Sequence, residues 1–396
     1  MLCAEVPNLM YGGRTISATH VAFASTRVMA TCGANANALG MAASMCKKLS
    51  VDPARLLEKH TMKMFQTELM RFGQYIPGYK LKDPEDLIRQ ATFLEPSSTF
   101  ELDRLPADGP PKVLVRSLAQ MIPLEAGPIP KFYITAQAVA DTTLTVQLRV
   151  SKKQYNYTPE EILETLSFEL RPGSNPLEVA FTVPNPQAQY VFLCIMQNDS
   201  VAVSTTLKRV SGLMTVEHEC TQSPPKDIGV DEFERWTPVR RPMGHNIALS
   251  ADPPIRAWGV ANIRNGVPRP TKRTNCWVPN SGCGERRLIK FTWDAPVTLG
   301  RVVVHFDTDY DHAAESVLRG HPERVMPFCV KEWRILDVSV EGSETELFHE
   351  DNNHQSRRVA TMTAPTRVTS IAVEVLALNG DSNVEGGIFE VRAYNS

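Results

Sequence analysis

Hydrophobic and polar residues alternate along this chain with two different periods. Before residue 95 the apolar positions return every three or four residues, at Met62, Phe65, Leu69 and Phe72. After residue 112 they return every second residue, as in 143–150, where Leu and Val alternate with Thr, Gln and Arg. The first spacing indicates helices that bury one face, and the second indicates half-buried antiparallel strands. The chain is therefore predicted to be mainly β, with an N-terminal α-helical segment.

Changes in this pattern predict four parts. We expect a mostly helical part over 1–95, a β-sandwich over 112–216, a linker over 217–244 and a jelly-roll β-sandwich over 245–396. The two sandwiches would then contain most of the chain.

Proline positions support these boundaries. Pro53 and Pro84 each follow an Asp, and we expect helices to begin there because proline fits the first helical position. The stretch 96–111 is rich in Pro, Ser and Gly, and 217–244 contains four prolines. Both stretches are interpreted as linkers.

Composition restricts the class of function. The net charge of −2 gives no basic surface for a nucleic-acid partner. The longest uncharged stretch, 28–46, contains Asn, Gly and Ala rather than large apolar residues, so no membrane partner is expected. None of the eight cysteines forms a Cys-x-x-Cys pair, and several lie in apolar runs, as Cys194 does. Buried free thiols of this kind indicate a reducing, cytoplasmic location.

The most specific motif lies near the N-terminus. Residues 12–33 read Gly-Gly-Arg-Thr-Ile-Ser-Ala-Thr-His-Val-Ala-Phe-Ala-Ser-Thr-Arg-Val-Met-Ala-Thr-Cys-Gly, and a small-residue helix is expected to follow through Cys46. This segment resembles the last flavin-contacting segment of a family of FAD-dependent oxidoreductases. The resemblance implies that the segment lines a flavin and substrate cleft.

The part of such a domain that holds the dinucleotide is not found in this sequence. A dinucleotide site needs a Gly-x-Gly-x-x-Gly turn between a strand and a helix. Gly282-Cys283-Gly284 begins like this motif but has no third glycine at the required spacing. We therefore expect no cofactor, and FAD only if a partner supplies the missing half.

Two further positions depart from the family pattern. Family members usually carry Met-Gly-Gln where this chain has Asn35-Ala36-Asn37, at the point where the helix starts close to the flavin. They also commonly carry Asp-Gly-Gln-Tyr-Ile-Pro-Gly, whereas the matching stretch 72–78 begins with Phe72. Ala36 adds a Cβ at a close approach to the cofactor, and Phe72 removes a carboxylate. Both changes suggest that the flavin site is relaxed or has a new use.

The C-terminal part resembles a discoidin-like, galactose-binding-like jelly roll. The resemblance rests on 261–266, on a strand, turn and strand over 288–306 with the turn at 294–296, and on a closing strand over 389–394. Bacterial and fungal members of the same oxidoreductase family carry two such sandwiches after the flavin segment. The resemblance thus covers nearly the whole chain.

Two groups of side chains are candidates for a site that takes a small-molecule substrate. Arg14, His20 and Arg27 are the catalytic candidates, because arginine stabilises oxyanions and histidine transfers protons near neutral pH. The candidates for substrate binding are Asn35, Asn37, Tyr75, Trp258, Trp277 and His305. Ordinary structural alternatives exist: the arginines pair with acids, His20 is a satisfied core residue, and the two tryptophans are core residues.

No metal site is predicted. His218 and Cys220 lack a second pair of ligands at zinc spacing. The loop 307–311 begins like an EF-hand, but His312 and Leu318 occupy the positions that need Gly and Glu. A simpler calcium site in this loop is left open.

Three hypotheses about function follow. The first is a cofactor-free, non-redox biosynthetic enzyme on a truncated oxidoreductase scaffold, acting on an apolar, natural-product-like molecule by a cyclisation or Diels–Alder-type cycloaddition. The second is the C-terminal part of a FAD-dependent oxidoreductase that needs a separate N-terminal half. The third is a non-catalytic carbohydrate-binding module. We rank them in that order, with the first slightly ahead, and leave a homo-oligomer open.

Overall fold

In the computed structural model, the chain forms two compact units. The first unit is Met1–Pro84 and the second is Glu85–Ser396. The residues described are 1–153, 157–223, 232–239, 244–280, 282, 284, 286–308 and 325–396. Each unit is treated by itself below.

The first unit contains three α-helices. They are α1 (His20–Thr26), α2 (Met29–Leu49) and α3 (Lys59–Phe72). Two short 3-10 helices, Gly13–Thr15 and Pro53–Leu57, precede α1 and α3. Pro53 therefore begins a 3-10 helix rather than the predicted α-helix, and α3 follows it.

Local sequence sets the helix ends. Thr19 caps α1, because its hydroxyl accepts a hydrogen bond from the N–H of Ala22 at 3.3 Å. Ser50 and Gly73 follow α2 and α3 in the left-handed conformation, which ends a helix by redirecting its last N–H groups to earlier carbonyls. The start of α1 and the ends of α2 and α3 are thus explained by neighbouring residues.

The core of the first unit is small. Ala42, Met45 and Leu56 are buried together, and Phe65 packs against them. Leu69 is buried as its spacing predicts, whereas Phe72, the last residue of α3, is 60% exposed. Few side chains therefore hold the three helices together.

The second unit is built of strands. In chain order they are β1 (Phe93–Pro96), β2 (Leu102–Leu105), β3 (Lys112–Leu114), β4 (Leu118–Leu124), β5 (Lys131–Ala138), β6 (Thr142–Val150), β7 (Glu161–Leu170), β8 (Gly173–Val179), β9 (Gln189–Ile195), β10 (Asn198–Val203), β11 (Thr205–Thr206), β12 (Arg209–Val210), β13 (Met214–Gln222), β14 (Phe233–Pro238), β15 (Asn246–Ile247), β16 (Leu249–Ile255), β17 (Arg287–Phe306), β18 (Val330–Val338), β19 (Glu344–Glu350), β20 (Arg357–Leu378), β21 (Val384–Glu385) and β22 (Ile388–Tyr394). The predicted fold class, mainly β with an N-terminal helical segment, is confirmed. No helix among the described residues is both long and apolar enough to cross a membrane.

Two six-stranded sheets form the first sandwich. One has the order β2-β16-β5-β10-β3, with β8 beside β5, and the other has the order β14-β13-β4-β9-β6-β7. Alternate residues of the facing strands, such as Phe132, Leu148 and Leu193, fill one core. The apolar side chains of β6 are therefore buried, as its period-two pattern predicts.

Both predicted linkers contain strands of this sandwich. β2 lies within 96–111, and β13 and β14 pair antiparallel within 217–244. The linker interpretation of 217–244 is thus corrected. That interpretation rested partly on Pro238. This proline ends β14, an edge strand, where a missing N–H costs no ladder hydrogen bond. The other three prolines of that stretch lie outside the described residues.

The second sandwich is a single sheet folded on itself. Its order is β1-β17-β20-β18-β19, with β22 also paired to β17. The pairing of β17 with β20 shifts register between Thr292 and Val297, and the long strands continue beyond the shift. The predicted strand, turn and strand over 288–306 is therefore one bent strand, since such an irregularity bends a ladder without reversing the chain.

The predicted boundary at residue 95 is also corrected, to Pro84. Residues 85–95 belong to the second unit, where β1 pairs with β17. Asp86 caps a 3-10 helix, Leu87–Gln90, by accepting a hydrogen bond from the N–H of Ile88 at 3.1 Å. The indole of Trp293 donates to the carbonyl of Leu87 at 2.8 Å. Pro84 therefore does not begin an α-helix.

Three consecutive residues belong to two cores. Cys276 and Val278 lie in the core of the first sandwich, whereas Trp277 between them lies in the core of the second. The backbone of Trp277 exchanges two hydrogen bonds of 2.9 Å with Ile388. Gly387 makes this approach feasible, because a Cβ there would press on the carbonyl of Trp277. An extended segment with a period of two is thus shared by both sandwiches.

This shared segment predicts coupled unfolding. Trp277→Ala is expected to lower the free energy of unfolding by about 3–5 kcal/mol and to leave one transition for both sandwiches, measured by denaturant titration with fluorescence and circular dichroism. Trp277→Phe keeps most of the apolar volume and loses the indole hydrogen bond to the Ser98 carbonyl, so a smaller loss is expected. Val340→Ala, at an exposed position, is the neutral control. Two separate transitions, of which only one moves, would contradict the coupling.

Candidate functional site

Three motif segments of the first unit meet at the middle of α2. Gln74, from the stretch 72–78, accepts a hydrogen bond from the side chain of Asn37 at 3.1 Å. The Gln74 amide in turn donates to the carbonyl of Ala34 at 3.2 Å. The stretch after α3 is therefore fixed to the second and third turns of α2, although 37 residues separate the first pair in sequence.

The glycine turn reaches the same place from the other side. Gly12 lies against the side chain of Leu39 and close to the backbone of Ala36. A Cβ at Gly12 would overlap the end of the Leu39 side chain, which would have to move. The turn itself continues into the 3-10 helix Gly13–Thr15, where Thr15 donates its hydroxyl to the carbonyl of Gly12 at 2.7 Å.

One detail differs from the expected geometry. The family pattern places the start of the helix at Asn35-Ala36-Asn37, whereas α2 begins at Met29. Ala36 and Asn37 therefore lie inside the helix, where their N–H groups belong to the helical ladder. The free N–H groups lie instead in the first turn after Val28, which supplies no side-chain cap.

The catalytic candidates lie on the surface and are not gathered. Arg14 lies in the 3-10 helix and His20 is the first residue of α1, and both side chains are exposed. The guanidinium of Arg27 lies 3.7 Å from the ring centre of Phe23, which is a cation–π contact along one helix. Among the described hydrogen bonds and ion pairs, none joins Arg14, His20 and Arg27. Their catalytic role stays a prediction.

The substrate-binding candidates of the first unit lie closer to one another than the catalytic candidates do. Asn37 bonds to Gln74, and Tyr75 is the next residue in sequence. Asn35 and Tyr75 are both half-buried. The structure therefore brings Asn37 and the segment of Tyr75 together, and Gln74, which the sequence did not single out as a site residue, is the link between them.

The two tryptophans are corrected to core residues. Trp258 and Trp277 are completely buried. Trp258 donates its indole N–H to the carbonyl of Ser211 at 2.7 Å and packs edge-on against Phe100, with ring centres 5.1 Å apart. Neither indole offers a surface to a substrate, because each fills the interior between sheets.

His305 is likewise buried, in a polar cluster on β17 and β22. One ring nitrogen lies 3.4 Å from a carboxylate oxygen of Glu390, which also contacts Arg392 at 2.9 Å. Burial, together with the positive charges of Arg392 and Arg357, holds the pKa of His305 well below its ordinary value. His305 is therefore neutral near pH 7 and has a structural place rather than a substrate-facing one.

Asp86 is a buried acid at the beginning of the second unit. Its carboxylate accepts hydrogen bonds from the N–H groups of Ile88 and Ala393, at 3.1 and 3.0 Å. Burial raises the pKa of Asp86 to about 7, while these hydrogen bonds oppose the rise. The carboxyl group thus connects the beginning of the second unit to its last strand.

An open cleft of about 580 Å³ lies beside the glycine turn. Its lining comprises residues 1–5, Tyr11 and 15–17. A hydrogen bond from Tyr11 lowers the pKa of the Cys3 thiol. Sequence patterns missed this pair, because a lone Cys and a lone Tyr carry no motif.

Comparison with known proteins finds a similarity in the first unit. Residues 1–69 match the family described as FAD dependent oxidoreductase. The resemblance of the N-terminal segment is confirmed to that extent. The match contains Gly12, α1, α2 and most of α3, and 72–78 lies beyond it. No curated protein matches the chain.

Solved carbohydrate-binding modules are similar to about a third of the chain. The family 32 module from Streptococcus pneumoniae EndoD is 15% identical, with a TM-score of 0.28, covering 35% of this chain and 87% of that one. A GH31 CBM32-2 module bound to GalNAc is 13% identical, with a TM-score of 0.27, covering 35% and 89%. The family 32 module from C. perfringens NanJ in complex with galactose is 10% identical, with a TM-score of 0.24, covering 34% and 82%. These similarities are too distant to transfer a ligand.

No group of three or more His, Cys, Asp or Glu side chains among the described residues is arranged to hold a metal ion. The calcium loop left open over 307–311 lies largely outside the described residues, which end at Thr308 on that side. Asp307 itself accepts a hydrogen bond from the hydroxyl of Ser211. A simple calcium site in this loop therefore stays an open alternative.

The meeting point on α2 predicts opposite effects of two glycine substitutions. Gly12→Val is expected to destabilise the first unit by about 1–3 kcal/mol, because its side chain would press on Leu39. Gly33→Ala, at a helical position with no atom within 4 Å of the new Cβ, is expected to stabilise it by about 0.4–1 kcal/mol. Hydrogen exchange of α2 measures both. Equal protection in Gly12→Val and the unchanged chain would refute the packing.

Asp86 predicts a pH dependence of stability. Its pKa is about 7 in the folded chain against 3.8 as the ordinary value, so the folded state holds this proton more tightly. The corresponding stability is fully present below about pH 4 and is lost as the pH rises to 7, by about 1.4 kcal/mol per pKa unit. Asp86→Asn, measured by urea unfolding between pH 4 and 8, is expected to remove this slope. An unchanged slope would assign the titration to another group.

Proposed function

We propose that this chain is the C-terminal part of a FAD-dependent oxidoreductase. Its first unit completes a flavin-binding domain, and its second unit carries two β-sandwiches. The observation that carries the proposal is the meeting of three flavin-type segments on α2. Gly12 and Gln74 lie far apart in sequence, yet both contact the second and third turns of this helix.

The family match supports the same assignment. It spans residues 1–69 and so includes both Gly12 and the middle of α2. Gln74 lies just beyond the match and bonds back into it. The packing thus joins the matched residues to 72–78, the second stretch that resembles the family.

FAD has two ends, and the described residues suit one of them. The first turn of α2 has no side-chain cap after Val28, and such N–H groups attract partial negative charge. The pyrophosphate end needs a Gly-x-Gly-x-x-Gly turn, and the sequence has none. The described residues therefore suit only one end of FAD. FAD, when bound, supplies the two-electron chemistry.

Exposed polar side chains next to this helix turn suit a small-molecule substrate. Arg14 offers a fixed positive charge, and His20 offers ring nitrogens for hydrogen bonds. In the proposed enzyme they orient the substrate, with Asn37 and Tyr75 as neighbouring contacts.

The other two hypotheses have less support. A cofactor-free cyclisation needs several donors aimed at one reacting group, whereas Arg27 is engaged with Phe23 and no contact gathers the catalytic candidates. A sugar site built on Trp258 or Trp277 needs an exposed ring, and both are buried. The second hypothesis from the sequence is therefore preferred to the first.

Adding a dinucleotide-binding half tests the proposal. The purified 396-residue chain is expected to show no visible flavin absorption. Fusing the dinucleotide-binding half of a full-length member of the matched family ahead of Met1 is expected to yield a yellow protein with stoichiometric FAD. The control is the same half expressed alone. A fusion that is folded but colourless would refute the proposed function.

A substitution at position 36 of the fusion protein makes this experiment more specific. Ala36→Gly restores the family residue. Because the family resemblance places this position close to the flavin, removal of its Cβ is expected to raise FAD occupancy. Ala43→Gly, an exposed position of the same helix, has a similar helix-propensity cost of about 0.5–1 kcal/mol and is expected to bring no gain. Equal FAD retention in the two variants would place the flavin away from Ala36.

A further inference from the structure

A cleft of about 330 Å³ lies at one end of the first sandwich. Its lining residues all come from 124–130, the end of β4 and the loop that leads to β5 in the other sheet, and from 253–257, at the end of β16. β16 pairs with β5 as far as Asp252 and Lys131, so Pro253 and Pro130 follow at the same end of the sheet. The cleft is therefore formed where the chain crosses between the two sheets.

The loop that forms one wall is held in place by a buried asparagine. Asn185 is 2% exposed, and its side chain donates hydrogen bonds to the carbonyls of Leu124 and Glu125, at 3.3 and 2.9 Å. Its backbone exchanges two further hydrogen bonds with Gly127, of 3.0 and 2.8 Å. Gln189 donates to the side-chain carbonyl of Asn185 at 3.1 Å. A wall that is fixed before a ligand arrives reduces the ordering free energy that binding costs.

Prolines dominate the lining of the cleft. Pro128, Pro130, Pro253 and Pro254 line it, and none of the described lining residues is aromatic. Proline has no backbone N–H, so these positions offer ring CH groups and carbonyls instead of donors. Rigid proline surfaces and aromatic rings recognise each other in protein complexes. The proline walls therefore suit an aromatic ring that the ligand supplies.

Two side chains of opposite charge also line the cleft. The side chain of Arg256 is 74% exposed, and its Nε lies 2.9 Å from a carboxylate oxygen of Glu101. The side chain of Glu125 is 56% exposed and pairs with Arg273. A guanidinium and a carboxylate each have more hydrogen-bonding positions than one partner uses. Because the two ion pairs together carry no net charge, a ligand with both a carboxylate and an ammonium group complements them better than an anion or a cation does.

We propose that this cleft binds a free aromatic amino acid. The aromatic ring lies against the prolines, the carboxylate accepts hydrogen bonds from Arg256, and the ammonium group donates to Glu125. The volume of the cleft is at the lower end of those usual for small-molecule sites, which suits one amino acid better than a longer peptide. The site belongs to the second unit, and it does not rest on the flavin chemistry proposed for the first.

The experiment uses the full 396-residue chain and L-phenylalanine as the probe. Affinity is measured by isothermal titration calorimetry, and contact of the ring with the protein by saturation-transfer NMR. Arg256→Gln and Glu125→Gln are the test variants, since each keeps a polar side chain and removes its charge. Arg367→Gln and Glu341→Gln, at exposed positions elsewhere in the second unit, are the matched controls. Circular dichroism checks that all four variants are folded.

Three analogues of the probe separate the contacts. Phenylacetate lacks the ammonium group, phenethylamine lacks the carboxylate, and L-cyclohexylalanine lacks the aromatic ring. The wild-type chain and both controls are expected to bind L-phenylalanine with millimolar affinity, as a small ligand does in an open cleft. Each test variant is expected to bind it about tenfold more weakly, because one charged hydrogen bond is lost. Each analogue is expected to bind the wild-type chain more weakly than L-phenylalanine does.

The pairing of variant and analogue gives the sharpest outcome. Phenylacetate is expected to lose no further affinity in Glu125→Gln, and phenethylamine none in Arg256→Gln, because the contact is already absent. A wild-type chain without saturation transfer to L-phenylalanine at millimolar concentration overturns the proposal. Equal affinity in the test variants and the wild type places the amino acid elsewhere and also overturns it. Phenylacetate bound as tightly as L-phenylalanine refutes a zwitterionic ligand.

Discussion

Trp277 is the residue on which the second unit depends. Its side chain lies in the core of one sandwich while its neighbours Cys276 and Val278 lie in the core of the other. An extended backbone alternates its side chains between two directions, so one segment serves both interiors. The two sandwiches therefore cannot separate without exposing apolar surface from both cores, and the chain from Glu85 onward forms one compact unit.

Polar contacts reinforce the same junction. β12 and β21, from the two sandwiches, pair as parallel strands. Lys208 pairs with the buried carboxylate of Glu385 at 3.1 Å, and Ser211 donates its hydroxyl to the buried Asp307. Groups of this kind cost free energy when they are buried without partners. Their pairing fixes how the sandwiches are arranged, whereas the apolar residues around Trp277 supply most of the stability.

The first unit, in contrast, has only a small apolar core. Its core is formed by a few residues around Met45, and much of α1 and α2 remains in contact with solvent. Hydrogen bonds of Gln74 and the close approach of Gly12 still hold the flavin-type segments in one arrangement. A unit with specific internal contacts but little buried apolar surface is what the remainder of a larger domain looks like. This small core is the physical reason to prefer the proposed oxidoreductase over a cofactor-free enzyme.

The sequence by itself determined the change from helix to strand and the resemblance of the first segment to FAD-dependent oxidoreductases. Residue spacing and glycine positions are local, so the β6 alternation and the motif over 12–33 were sufficient. Tertiary structure decided the rest. Trp258 and His305 have polar groups that a sequence can assign to a ligand as well as to a core, and only the sheets around them decide that they are buried. Likewise, the sequence alone assigns Pro238 to a linker, whereas the structure places it in the edge strand β14. The cost of its missing N–H depends on neighbouring strands that are distant in sequence.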